Sequence, residues 1–219
     1  MDLTKEPIII AFDTSCDDTS VAILKGRRVL SSEVSSQLEL HAQFGGVVPD
    51  LAMRAHKENI QRVFDEALEK SGVVIEDIDY VAATYGPGLA IDLEVGLAFA
   101  KDLAIKLNKP FVPVNHMEGH MFSALILNSK GSGLVKDQDL EELFPTAGLL
   151  MSGKHTEIIY IRGFGEYEKI GQTLDDAVGE AFDKVGRILN LGYPGGPIVS
   201  EFAKDRKSTR LNSSHRIRS

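Results

Sequence analysis

Apolar and polar positions fall in blocks along the chain, and the blocks sort into strands and helices. Ile8-Ile9-Ile10-Ala11-Phe12 is an apolar run closed by Asp13-Thr14-Ser15, which predicts a buried strand with its working end at Asp13. Cys16-Asp17-Asp18 reads as a turn. Thr19 to Leu24 returns as a second strand, Gly26-Arg27-Arg28 turns again, and Val29 to Ser35 is a third, giving an antiparallel meander. His41 to Asp50 carries Gly45-Gly46 and predicts an irregular loop. Helical spacing then runs from Asp50 to Ser71, with Leu51, Ala52, Ala55, Ile60, Val63, Phe64, Ala67 and Leu68 on one face and Gly72 just past the end.

Tyr80 to Thr84 is a short buried strand, and Tyr85-Gly86-Pro87-Gly88 is a glycine-rich turn into a helix from Leu89 to Leu107. Asn108-Lys109-Pro110 stops that helix. Phe111 to Val114 is a strand, Asn115 a turn, and His116 to Leu127 a further helix. Residues 147–170 then repeat the plan of residues 8–35: apolar strand, polar tip, apolar strand, turn, strand. Thr173 to Leu191 has the strongest helical pattern, with Thr173 as its cap and Asp176 at the capping-box position; Gly192 and Pro194 stop it. The pattern predicts an α/β protein with a first lobe at 1–128, a polar surface connection at 129–146, and part of a second lobe at 147–205. Two such hairpin tips, one per lobe, are suited to gripping the two ends of a phosphate chain.

The candidate chemistry collects at the polar ends of these elements. His116 and His120 are four apart at the end of a strand, so one helix face presents both imidazoles one turn apart, a spacing able to hold a metal ion. Thr14, Ser15, Asp17 and Asp18 form the first hairpin tip, where hydroxyls and turn amides can hold phosphate and carboxylates a cation. The loop at Gly86-Pro87-Gly88 offers helix N-terminal amides to an anion, although no Lys-Ser/Thr follows as in a P-loop. Arg54 and His56 lie in the early turns of their helix and read as part of its solvated face rather than of a site. Asp183 lies nearest the apolar stripe of its helix, and Gly195-Gly196-Pro197 permits close backbone approach. Cys16 reads as a small packed residue rather than a nucleophile.

Composition narrows the function classes. One cysteine in 219 residues excludes an internal disulfide framework and suits a reducing compartment. The first residues carry acids and no long apolar stretch, and no run is long enough to span a bilayer, so a cytoplasmic location is expected. The net charge of −8 is unevenly placed: residues 206–219 hold five Arg/Lys and no acid, and residues 1–205 carry 19 basic and 32 acidic residues, a net of −13. Broad nucleic-acid binding by the body alone is therefore disfavoured.

Taken in order, Asp13-Thr14-Ser15-Cys16-Asp17-Asp18-Thr19, Gly45-Gly46-Val47-Val48-Pro49 through Arg54-Ala55-His56, Gly86-Pro87-Gly88-Leu89, Asn115-His116-Met117-Glu118-Gly119-His120, Ser152-Gly153-Lys154-His155-Thr156, and Asp175-Asp176-Ala177 through Ala181-Phe182-Asp183-Lys184 to Tyr193-Pro194-Gly195-Gly196-Pro197 resemble the TsaD family, the tRNA N6-adenosine threonylcarbamoyltransferases once called O-sialoglycoprotein endopeptidases. The resemblance covers about residues 8–205. It implies the actin-like, ribonuclease H-like two-lobed ATPase fold with duplicated sheet-and-helix units, the second lobe incomplete. It implies one divalent metal ion, iron or zinc, on His116 and His120. It implies substrate binding at Leu150, Met151, Ser152, Gly153, Lys154, Asp183 and Gly196, with phosphate or adenylate contacts at Ser15, Asp17 and Asp18. The implied reaction moves a threonylcarbamoyl group from threonylcarbamoyl-AMP to N6 of adenosine 37 in tRNAs reading ANN codons. The implied partners are tRNA, a paralogous scaffold subunit and a small ATPase subunit.

The chain departs from the family pattern at three points. Lys154 stands where a second glycine is usual, Ile91-Asp92 replaces small residues, and the family's later segment, with a further metal-ligating Asp and a nucleoside-contacting Asn, has no counterpart here. Three other readings stay open. A zinc peptidase would need Glu directly after the first histidine, where Met117 stands. An actin-fold kinase does not need the histidine pair, and a scaffold paralogue would bind partners without chemistry. Residues 206–219 lack apolar periodicity and read as a disordered, artefactual tail such as translated adapter sequence, with a natural basic tail that touches tRNA as the rival.

Overall fold

A computed structural model describes residues 6–135, 140, 142–192 and 194–204. The tail at 206–219 and Tyr193 lie outside the described residues. The described chain forms two compact units: Met1–Leu150 with Glu157–Gly171, and Met151–Thr156 with Gln172–Ser219.

The first unit is built on a five-stranded mixed sheet. Its strands are β1 (Ile8–Asp13), β2 (Asp18–Lys25), β3 (Arg28–Ser36), β4 (Tyr80–Gly86) and β5 (Phe111–Asn115), in the order β3-β2-β1-β4-β5. The meander is antiparallel, as its short polar turns require: Ile8 pairs with Lys25 and Asp13 with Ser20. β4 joins β1 in parallel, Ala11 opposite Ala82, and β5 joins β4 in parallel, Ala83 opposite Pro113. This is the ribonuclease H-like arrangement that the family resemblance implies, and it brings the carboxyl ends of β1, β4 and β5 to one edge.

Two helices supply the core. α2 (Pro49–Ser71) buries Ala52, Ile60, Val63, Phe64 and Ala67, and ends at Gly72 with φ 67°, a left-handed conformation glycine adopts freely. α3 (Ala90–Leu107) ends at Asn108, also left-handed. Together they cover Ile10, Phe12, Val21 and Ile23 of the sheet. Phe12, Phe64 and Phe99 meet with centroids 5.4–6.2 Å apart. Each such ring contributes roughly 1.5–3 kcal/mol by leaving water. The outer strands are β3 and β5. The first turn of β3 is covered by the chain near Leu127, which exchanges backbone bonds with Arg27 and Val29.

In the first unit, two helical stretches differ from the expectation. α1 (Leu38–Ala42), a short helix the pattern does not predict, runs into the start of the stretch read as loop and turns His41 inward. The helix at His116 is only α4 (His116–Phe122), followed by a 3-10 turn at Ser123–Leu125, because Ile126 and Leu127 leave to meet β3.

A second sheet holds β6 (Thr146–Met151), β7 (Thr156–Gly163) and β8 (Glu166–Gln172) in sequence order, the same strand plan as β1 to β3. Leu150, Ile159 and Ile161 pack there against Met117, Met121, Phe122 and Phe144. Those contacts join most of this sheet to the first unit, whereas the sequence boundary at 129–146 assigns it to the second lobe. The second unit contains α5 (Val178–Ile188) and α6 (Gly195–Lys204). α5 starts later than predicted. The Thr173 hydroxyl donates to the Asp176 carbonyl and the Asp175 carboxylate, which closes a turn ahead of the helix instead of capping it.

Candidate active site

The carboxyl ends of β1, β4 and β5 enclose a cleft of about 380 Å³, lined by Asp13, Ser15, Cys16, Asp17, Asp18 and Ser20 of the first hairpin and by Thr84, His116, Gly119 and His120. Asn115 ends β5 and caps α4, its Oδ1 accepting from the amides of Met117 at 2.9 Å and Glu118 at 3.4 Å. That cap aims the first helical turn so that both histidines face the cleft. Their Nε2 atoms lie 3.0 Å apart.

Asp13 organises the floor. Its Oδ1 accepts from the Ser15 amide at 2.9 Å and the Ser15 hydroxyl at 2.7 Å. Its Oδ2 accepts from the Thr84 hydroxyl at 2.6 Å and from His116 Nδ1 at 3.2 Å. Burial alone would raise the Asp13 carboxyl. The bonds from His116, from Thr84 and from the amide and hydroxyl of Ser15 outweigh it and hold the group well below the usual carboxylate range. A carboxylate can only accept, so Nδ1 of His116 carries the proton and Nε2 presents its lone pair to the cleft.

The histidine pair suits a metal. Two nitrogens bound to one ion at about 2.0–2.1 Å lie about 3 Å apart or slightly more. Nε2 of His116 and His120 already stand at that separation, and Asp13 supplies the outer carboxylate that fixes a ligating imidazole. Among the described residues, no cluster of three His, Cys, Asp or Glu side chains is assembled. The described chain therefore offers two ligands.

The glycine loop does something other than expected. The Leu89 amide at the start of α3 donates to the Ser15 carbonyl at 2.9 Å, so it is taken by the hairpin tip rather than offered to an anion. The fully buried Asp92 carboxylate also sits in that first turn, where an anion would bind. Gly88 permits the approach, since a Cβ there would lie 2.7 Å from the Ser15 carbonyl oxygen. Gly96 does the same for Thr14, whose hydroxyl donates to the Asp92 carbonyl and accepts from the Gly96 amide.

In the second unit, the Ser152 hydroxyl accepts from the His155 amide at 3.0 Å, and its carbonyl accepts from the Gly179 amide at 3.0 Å. Gly153 and Lys154 are exposed at this tip, Met151 is exposed beside it, and the Leu150 side chain is buried in the core. Any contact Leu150 makes with a ligand is therefore through its backbone. Asp183 Oδ1 accepts from the amides of Gly195 at 2.8 Å and Gly196 at 3.4 Å, so these two predicted residues meet at the start of α6.

Sequence reasoning missed Thr84, Thr19, Gln37 and His41. Thr84 was findable as the polar end of an apolar parallel strand. His56 is not on a solvated face; it is fully buried behind the hairpin tip. Arg54 is exposed, as expected.

The sequence model of the TsaD family, tRNA N6-adenosine threonylcarbamoyltransferase, matches residues 28–216. The chain belongs to that family. The match runs past Asp205, where the sequence reading ends the resemblance. A tRNA N6-adenosine threonylcarbamoyltransferase of Clostridioides difficile is 49% identical over 199 residues, covering 90% of this chain and 56% of the relative. One of Clostridium perfringens is 48% identical over 205 residues, 93% of this chain and 57% of the relative. One of Pelagibacter ubique is 46% identical over 207 residues, 92% and 55%. The chain thus spans about half the length of the curated relatives it matches. Among solved structures, YeaZ from Pseudomonas aeruginosa aligns over 76% of this chain and 66% of that one, at 19% identity and a TM-score of 0.45. Within the TsaD family the peptidase alternative loses ground structurally as well, because Met117, at the position of a zincin's base, packs against the second core. No helix among the described residues is long and apolar enough to cross a membrane.

Proposed function

We propose that the cleft serves a threonylcarbamoyl transferase. It moves the acyl group from threonylcarbamoyl-AMP to N6 of adenosine 37 in tRNAs reading ANN codons. The N6 amine forms a bond to the carbamoyl carbon, the bond from that carbon to the phosphate oxygen breaks, AMP leaves, and the amine sheds a proton. The observation that carries the reading, in a chain of this family, is the pair of Nε2 atoms 3.0 Å apart above Asp13. His116 and His120 would hold one divalent ion, iron or zinc. When bound, that ion supplies positive charge to the phosphate and polarises the acyl group.

The cleft's own charge supports a cation. Asp13, Asp17 and Asp18 line it, so a bare phosphate entering would meet three carboxylates. Asp13 keeps Nε2 of His116 available, and the Ser15 and Thr84 hydroxyls hold Asp13 in place. The family resemblance also assigns substrate binding to Leu150 to Lys154, Asp183 and Gly196. The Lys154 ammonium adds a positive charge at an exposed tip. A reaction of this kind needs placement more than covalent chemistry, since the amine is a poor nucleophile. tRNA docking by an acidic body calls for partners, here a paralogous scaffold subunit and a small ATPase subunit.

The test supplies the whole protein and its partners with threonine, bicarbonate, ATP, an adenylate-forming enzyme and tRNA, and follows modified adenosine by mass spectrometry. Product should form, and His116→Ala with His120→Ala should abolish both product and bound metal. Absence of product with all partners present, together with metal-dependent peptide cleavage, would reverse the reading.

A further inference from the structure

Behind the hairpin tip lies a buried chain of polar side chains that the proposed reaction does not use. The Val48 amide, at the end of the glycine loop, donates to His41 Nδ1 at 3.4 Å. His41 Nε2 meets Gln37 Oε1 at 3.1 Å. Gln37 Nε2 meets His56 Nδ1 at 3.3 Å and the Ala52 carbonyl at 3.3 Å. The Thr19 hydroxyl meets His56 Nδ1 at 2.8 Å, and His56 Nε2 meets the Cys16 carbonyl at 3.0 Å. His41, His56 and Thr19 are 0% exposed and Gln37 is 4% exposed, so water does not complete these bonds.

The two ends fix the direction of every bond between them. An amide can only donate and a carbonyl can only accept. His41 therefore accepts at Nδ1 and donates from Nε2. Gln37 accepts at its oxygen and donates from its nitrogen. His56 accepts at Nδ1, from both Thr19 and Gln37, and donates from Nε2 to Cys16. No link can be reversed without leaving a buried group unsatisfied, at a cost of about 1–3 kcal/mol.

We propose that His56 is a positioning residue of the cleft, the last link of a one-way hydrogen-bond relay through which the glycine loop at residues 43–48 sets the position of the Cys16–Asp18 tip. Gln37 reinforces the relay, since its own amide donates to the Asp17 carbonyl at 3.0 Å. The loop is the exposed end: Phe44 is 55% exposed, and Gly45 and Gly46 have open space around them. A ligand or partner that moves this loop withdraws the Val48 proton, and the consequence arrives at the carboxylates of the cleft. The functional meaning of this relay rests on the proposed adenylate site, but its existence does not.

The test uses nitrogen-15 spectra of the whole protein near pH 7.5, with AMP as the probe of the cleft. Both His41 and His56 should carry their proton on Nε2. His56→Gln places an amide nitrogen where Nε2 stood and should keep the Cys16–Asp18 amide signals near their original positions. His56→Asn lacks that reach and should shift them. His41→Leu removes a side chain bonded to Gln37 and Val48, both outside the tip, and should also shift the tip signals and weaken AMP binding several-fold. An Nδ1-protonated His56 or His41 overturns the proposal in the unaltered protein, without any variant having to fold. Unmoved tip signals in folded His41→Leu overturn it as well. Correct tautomers and tip shifts with no AMP binding in any variant uphold the relay and count against the adenylate reading.

Discussion

Asp13 and His56 show how far single residues could be read. Asp13 was legible as the polar end of an apolar strand, and His116 with His120 as a helical pair. The bond between His116 and Asp13 depends on β1 and β5 flanking β4, and one sequence without pairing information does not give strand order. His56 was misplaced because its helix face was judged by apolar residues alone, and a buried imidazole satisfied by Thr19 and Cys16 leaves no mark in that pattern. Its burial has a measurable consequence. Desolvation depresses the His56 pKa, against the opposing pull of the Cys16 carbonyl and the Asp13, Asp17 and Asp18 carboxylates. With the folded value below the unfolded one, the unfolded chain binds more protons as acid is added. Stability from this group is complete above about pH 6.5, the unfolded histidine value, and is lost as pH falls toward the lowered folded value. Asp13, depressed in turn, loses its contribution only below about pH 4, where unfolded aspartate protonates. Urea melts at pH 7.5, 5.5 and 3.5 should show both losses in the parent, and His56→Gln should flatten the difference between pH 7.5 and 5.5 while leaving the further drop at pH 3.5.

Among elements, the strands and the two long helices of the first unit were legible because their periodicity is clean and their ends carry glycine, asparagine or proline. The short ones were not. α1 has five residues, too few to establish a helical period, and α5 was started early because Thr173 resembles a cap. The role of the Gly86-Pro87-Gly88 loop was also misread, since it docks a hairpin against a helix. That docking is sterically tight. Gly88→Ala would drive a methyl to 2.7 Å from the Ser15 carbonyl oxygen, and backbone cannot move aside cheaply. Thermal melts should show Gly88→Ala destabilised by about 1–3 kcal/mol, the usual range for overpacking. Gly46→Ala, with nothing within 4 Å of the added carbon, should cost far less.

At the scale of the molecule, the fold class and the family were legible from the order of the motifs, and the extent of the second unit was not. Its helices expose Phe182, Val185, Ile188 and Phe202, and α5 buries only Gly186. The first unit buries β1, β2 and β4 under α2 and α3. Hydrogen exchange read by mass spectrometry should therefore be slowest at Ile10, Val21 and Val81 and faster by orders of magnitude in α5 and α6, because opening those helices exposes little new apolar surface. Equal protection in both units would show that the second is as firmly held as the first. The register of β5 carries one more consequence. Pro113, opposite Ala83, has no N–H to donate, and it lies midway along a five-residue outer strand. A stray strand from another molecule would find a gap in the ladder where it tried to add, which guards this side of the sheet against edge-to-edge polymerisation in a crowded cell.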